Sequence, residues 1–132
     1  MSKDKLERAF GAVAERGEKA FVSYIMAGDG GLDRLEEKIL FLQEAGVTAI
    51  ELGIPFSDPV ADGPTVQKAG LRALEHDVSL KDIIGFLSEQ EFEVPIVFMT
   101  YFNVIYRYGV EAFCRDFSLA KVNVVIIRYL PL

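Results

Sequence analysis

The sequence predicts an α/β protein built on a parallel sheet. Three observations carry that expectation. Four short runs, 20–26, 47–52, 94–99 and 122–127, are almost continuously apolar and rich in Val and Ile, as strands covered on both faces require. Amphipathic stretches of helical period separate them. The resulting order, a helix followed by β-α-β-α-β-α-β, calls for right-handed crossovers between parallel neighbours.

Each element has a local cause. Leu6, Phe10 and Val13 recur at helical spacing after Ser2, so 3–16 reads as an amphipathic helix stopping near Gly17. Ala20 to Met26 reads as the first strand, bounded by Gly28-Asp29-Gly30-Gly31. Leu32, Leu35, Ile39 and Leu42 then trace one helix face, and Gly46 supplies a left-handed stop. The second strand, 47–52, leads into a Gly/Pro-rich loop over 53–63. Pro64 suits the first position of a helix because its missing N–H is not needed there. Ser79 caps a further helix that carries Leu80, Ile83, Ile84 and Leu87. Pro95 stands at the start of the third strand, where proline is tolerated. Residues 101–108 read as a loop or short helix and 109–120 as a helix, and the fourth strand follows.

Bulk properties narrow the function classes. The 132 residues suffice for one domain with a core, and 51% hydrophobic with 26% charged residues argues for folding rather than disorder. A net charge of -6 argues against general nucleic-acid or anionic-membrane binding, both of which need basic patches. No apolar run is long enough to span a bilayer, and the charged N-terminus lacks a signal-type apolar core. One cysteine, Cys114, and one histidine, His76, leave no Cys/His metal set. The lone cysteine fits a cytoplasmic protein. Cys114 is expected to be a small buried apolar group, and His76 a solvent-facing helix-end residue.

The chemistry concentrates in Glu51 to Pro64, Glu-Leu-Gly-Ile-Pro-Phe-Ser-Asp-Pro-Val-Ala-Asp-Gly-Pro. Glu51 interrupts an apolar strand, and leaving a carboxylate unpaired there costs several kcal/mol, roughly. Asp58 and Asp62 follow on the loop. Strand ends and the loops after them are where α/β folds assemble sites. A salt-bridged surface Glu, a turn-forming Asp58 before Pro59 and a helix-starting Asp62-Gly63 are the bland alternatives.

This segment resembles the signature of the tryptophan synthase α-subunit family. Phe21-Val22 with Gly28-Asp29, Met99-Thr100-Tyr101-Phe102-Asn103 and Leu130-Pro131-Leu132 stand in the matching order. The resemblance implies a (β/α)8 TIM barrel that cleaves indole-3-glycerol phosphate to indole and glyceraldehyde 3-phosphate. It implies Glu51 as the general acid/base and Asp62 as the acceptor of the indole N–H. Phe21, Met99 and Tyr101 then line the indole pocket, although residue type alone makes them core. Asp58 and Asn103 face a β subunit. No cofactor is implied.

Four strands instead of eight make the expected fold a four-stranded parallel β/α half-barrel derived from that TIM barrel. The alternative is a flavodoxin-like doubly wound sheet of order 2-1-3-4, with the N-terminal helix moved to the second face. A half-barrel is expected to leave one sheet face bare and to self-associate through it. Arg128-Tyr129 stand where the family has a small residue and an Asp, and Asn123-Val124 where Asp-Gly is common. Those substitutions favour strand formation and read as re-engineering of a fragment. Three functions therefore compete: a carbon–carbon lyase, a non-catalytic half-barrel scaffold, and a module that binds the β subunit without catalysis.

Overall fold

The computed structural model describes residues 2–55, 64–65, 68–69 and 78–128. Its elements are α1 (Ser2–Glu15), β1 (Val22–Met26), α2 (Leu32–Ala45), β2 (Ala49–Gly53), α3 (Leu80–Ser88), β3 (Ile96–Tyr101), α4 (Phe102–Tyr108), α5 (Val110–Leu119) and β4 (Val124–Arg128). Pro64 is helical, as its fixed φ favours.

The four strands form one parallel sheet of order β1-β2-β3-β4. Each crossover lands on the next position and never reverses direction, so the sheet follows the order of a half-barrel. The doubly wound order 2-1-3-4 is corrected by this pairing: β1 lies at an edge and not between β2 and β3.

Alternation along the strands sorts the side chains onto two faces. Ile50, Leu52, Ile96 and Phe98 point to the helix-covered face and are almost fully buried. Leu35 and Ile39 of α2, Ile83 and Leu87 of α3 and Phe113 of α5 complete that core. Phe98 meets the Phe117 ring edge-on, with centroids 5.8 Å apart.

The helix ends follow local chemistry. Gly46 closes α2 at φ 90°, a conformation that favours glycine. Ser79 and Asp82 form a reciprocal capping box at the start of α3. Between α4 and α5, the Tyr108 hydroxyl donates to Asp116 Oδ2 at 2.5 Å. Burial first, and then this carboxylate, raise the Tyr108 phenol to about 12.

Side-chain–backbone bonds join the strand starts. The Phe21 N–H donates to Thr48 Oγ1 at 2.9 Å, and the Ile96 N–H donates to Asn123 Oδ1 at 2.9 Å. Asn123 returns its own N–H to the Ile96 carbonyl. Lys5 of α1 donates to the Phe92 carbonyl, which ties α1 beneath β3. Cys114 is exposed on α5, contrary to its expected burial, because the inward positions of that helix are taken by Phe113 and Phe117. His76 lies outside the described residues.

Candidate active site

The second sheet face carries Val22, Tyr24 and Met26 of β1, Ala49, Glu51 and Gly53 of β2, Val97, Met99 and Tyr101 of β3, and Val124, Ile126 and Arg128 of β4. Strand pairing stacks them in layers. Tyr24, Glu51, Val97 and Val124 follow one another across the four strands, and Met26, Gly53, Met99 and Ile126 form the next layer toward the C-terminal ends. Tyr101 pairs with Arg128 at the end of the sheet. Glu51 is the one carboxylate among these inward-facing strand residues, and it is half-buried.

The layers explain the room in front of Glu51. A Cβ on Gly53 would come within 1.8 Å of the Tyr24 hydroxyl oxygen and 2.5 Å of its Cζ. The Tyr24 ring therefore leans from β1 across β2 and fills the space glycine leaves. It places a phenol one layer beyond the Glu51 carboxylate. Toward the other end, Leu6 and Phe10 of α1 line a cavity of about 320 Å³ together with Ala49, Glu51, Val97 and Ile126. The face is thus not bare at its centre. The N-terminal helix lies over its lower half, the role open to that helix once it packs on the second face.

The sequence-expected site residues distribute unevenly. Glu51 and Met99 share the inward face, and Tyr101 ends it, 5% exposed. The Arg128 guanidinium carbon stands 5.7 Å from the Tyr101 ring centroid, in cation–π range. Asn103 is exposed in the first turn of α4, just past the C-terminal end of β3. Phe21 is placed elsewhere: it precedes β1 at the N-terminal end of the sheet, with 63% of its surface exposed. Tyr24 is the aromatic residue that β1 brings beside Glu51. The signal for it was the alternation within Phe21-Val22-Ser23-Tyr24, which puts Phe21 and Tyr24 on opposite faces. Asp58 and Asp62 lie outside the described residues. Among the described residues no cluster of His, Cys, Asp and Glu is arranged to hold a metal ion. No helix among them is long and apolar enough to cross a membrane.

Comparison with known proteins agrees with this architecture. The family model described as tryptophan synthase alpha chain matches residues 10–132. A tryptophan synthase alpha chain of Bacillus cereus is 49% identical over 133 residues, covering 99% of this chain and 50% of the relative. One from Streptococcus pneumoniae is 50% identical over 128 residues, covering 96% and 50%. Among solved structures, an Aquifex aeolicus protein superposes with a TM-score of 0.88 at 35% identity, covering 96% of this chain and 51% of its own. Tryptophan synthase subunit alpha of Legionella pneumophila superposes with a TM-score of 0.86 at 31% identity, covering 96% and 50%. The chain spans about half the length of the relatives it matches, and its four strands correspond to half of their TIM barrel. By sequence and by fold, this chain belongs to the tryptophan synthase alpha chain family.

Proposed function

We propose that the chain, as a single α/β unit equivalent to strands one to four of the barrel, supplies the proton-transferring half of the cleavage of indole-3-glycerol phosphate. The observation that carries this reading is Glu51: the one carboxylate among the inward-facing strand residues, on an interior strand between Tyr24 and Val97. Its desolvation is unfavourable for stability alone. Glu51 delivers a proton to indole C3, which turns the ring into a cationic electron sink. The glycerol hydroxyl then loses its proton to a carboxylate, the C–C bond breaks, and the bonding pair returns to the ring. Indole and glyceraldehyde 3-phosphate result, with no net gain or loss of protons. Asp62 takes the indole N–H and offsets the positive charge on the ring. Met99 and Tyr101 offer apolar contact to the flat ring, and Tyr24 takes the place assigned to Phe21.

The 132-residue chain by itself is expected to be inactive and to self-associate through its sheet. Asn103, exposed beside the C-terminal strand ends, suits contact with a β subunit, as does Asp58 by resemblance. A cytoplasmic location accords with this biosynthetic role.

The test is indole release from indole-3-glycerol phosphate, by the chain alone and after mixing with the C-terminal half of a family member. Release is expected only from the mixture. Glu51→Gln, which keeps shape but removes the titratable proton, should lower it by about 10²–10⁴. A folded mixed complex that releases no indole even with Arg128→Ala, or whose release survives Glu51→Gln, rejects the reading. One observation favours a second reading, a non-catalytic half-barrel scaffold. Arg128 lies over Tyr101 at the end of the inward face, where its bulk competes with a ligand. In that case Arg128→Ala should restore release to an otherwise silent mixture.

A further inference from the structure

We propose that Lys5 is a modification site, acylated by small acyl phosphates that Arg8 and Lys121 hold in the cavity beside it. The reading of Glu51 plays no part in this inference.

The cavity lies at the N-terminal end of the sheet, between α1 and the turn that leads from α5 into β4. Its volume is about 460 Å³, within the range of small-molecule sites. Lys5, Arg8 and Lys121 line it against a single carboxylate, Glu91. In a chain of net charge -6, that local excess of cations suits an anion. Phe117 and Val122 supply an apolar wall. Lys121 is the one non-glycine residue among those described with a positive φ, 60°. The turn holds it there, with Nζ donating to the Gln90 carbonyl at 3.0 Å and to Glu91 Oε1 at 2.6 Å.

The two lysines differ in what they can do. Lys121 is the ion-pair partner of Glu91 and serves as a fixed cation. Lys5 donates instead to a carbonyl, that of Phe92. A neutral amine can make the same bond and still turn its lone pair toward the cavity. Burial lowers Lys5 below its ordinary value, against the attraction of Glu91 and Glu93 and with a further push from Arg8. Desolvation and a neighbouring cation are what turn a lysine into a nucleophile.

The step balances without a further reactant. The neutral Lys5 amine attacks the acyl carbon, and a C–N bond forms. The C–O bond to the phosphate breaks, and its electron pair leaves with the phosphate. The surplus proton on nitrogen goes with it, so hydrogen phosphate departs and a neutral amide remains. The planar fork of Arg8 matches two phosphate oxygens at once.

The test treats the folded 132-residue chain with acetyl phosphate and follows each lysine by peptide mass spectrometry. Lys5 should acetylate faster than the exposed Lys19 and Lys81, and the preference should vanish in denaturing urea. Arg8→Gln should cut labelling of Lys5 by acetyl phosphate several-fold more than labelling by the uncharged N-hydroxysuccinimide ester of acetic acid, because only the first reagent carries the anion. Added inorganic phosphate should compete with the same selectivity. Labelling of Lys5 no faster than that of Lys19 and Lys81 overturns the proposal. An equal effect of Arg8→Gln on both reagents also overturns it, since Lys5 would then be a reactive amine without an anion site.

Discussion

At the scale of single residues, Gly53 and Tyr24 act as one unit. Gly53 is not required here by a left-handed backbone but by the phenol lying where its side chain would be. Gly53→Ala forces that ring to move and should cost about 1–3 kcal/mol in urea unfolding. Tyr24→Ala in the same chain should remove most of that penalty. A double-mutant cycle therefore predicts coupling rather than additivity. Asn123 offers a second test. Its buried side chain accepts the Ile96 N–H, so Asn123→Ala leaves a buried donor unpaired and should cost about 1–3 kcal/mol. Asn123→Asp keeps an acceptor and should lose much less. Tyr24 was legible only through alternation, whereas Glu51 announced itself as a charge within an apolar strand.

At the scale of elements, helix starts and stops obey their local chemistry most plainly in α3. Ser79→Ala removes the acceptor of the Asp82 N–H and should destabilise the chain by about 1 kcal/mol. The pH dependence has a definite sign. Bonds from the Ser79 backbone and side chain hold the Asp82 carboxyl below its ordinary value. A depressed carboxyl contributes stability that is present above its unfolded value near pH 4, roughly, and is lost as pH falls through the folded value. Acid titration of unfolding should therefore show a loss below pH 4 that is smaller in Asp82→Asn. Tyr108 behaves in the opposite direction. Its phenol is raised to about 12, so the contribution of its bond to Asp116 is present below the ordinary phenol range near pH 10 and fades as pH rises through 12. Tyr108→Phe should abolish that alkaline component of the unfolding curve. The helix boundaries were readable from caps and glycines because those signals act over a few residues. The short α4 carries no comparable local signal, because it has no side-chain cap and follows its strand directly.

At the scale of the whole molecule, the expected bare face is covered in the middle and open at the margins. The difference arises because α1 reaches under the sheet: Leu6 and Phe10 face Ala49 and Val97, and Lys5 anchors the helix to the Phe92 carbonyl. Lys5→Met keeps the apolar stem and removes the anchor. It should raise hydrogen exchange in α1 while leaving β2 and β3 protected. Protection lost equally across the sheet would show that α1 is integral to the core instead of a cover laid on one face.

The parallel α/β class, the four strands, the helix caps and the placing of a carboxylate, Glu51, within an apolar strand were determined by the sequence alone, since apolar periodicity, capping and residue type are local properties. Strand order, the displacement of Phe21 to the far end, the approach of Tyr24 over Gly53 and the covering of the second sheet face by α1 were decided only in three dimensions. Each depends on which strands become neighbours, and neighbourhood is set by crossovers and packing between residues far apart in the chain.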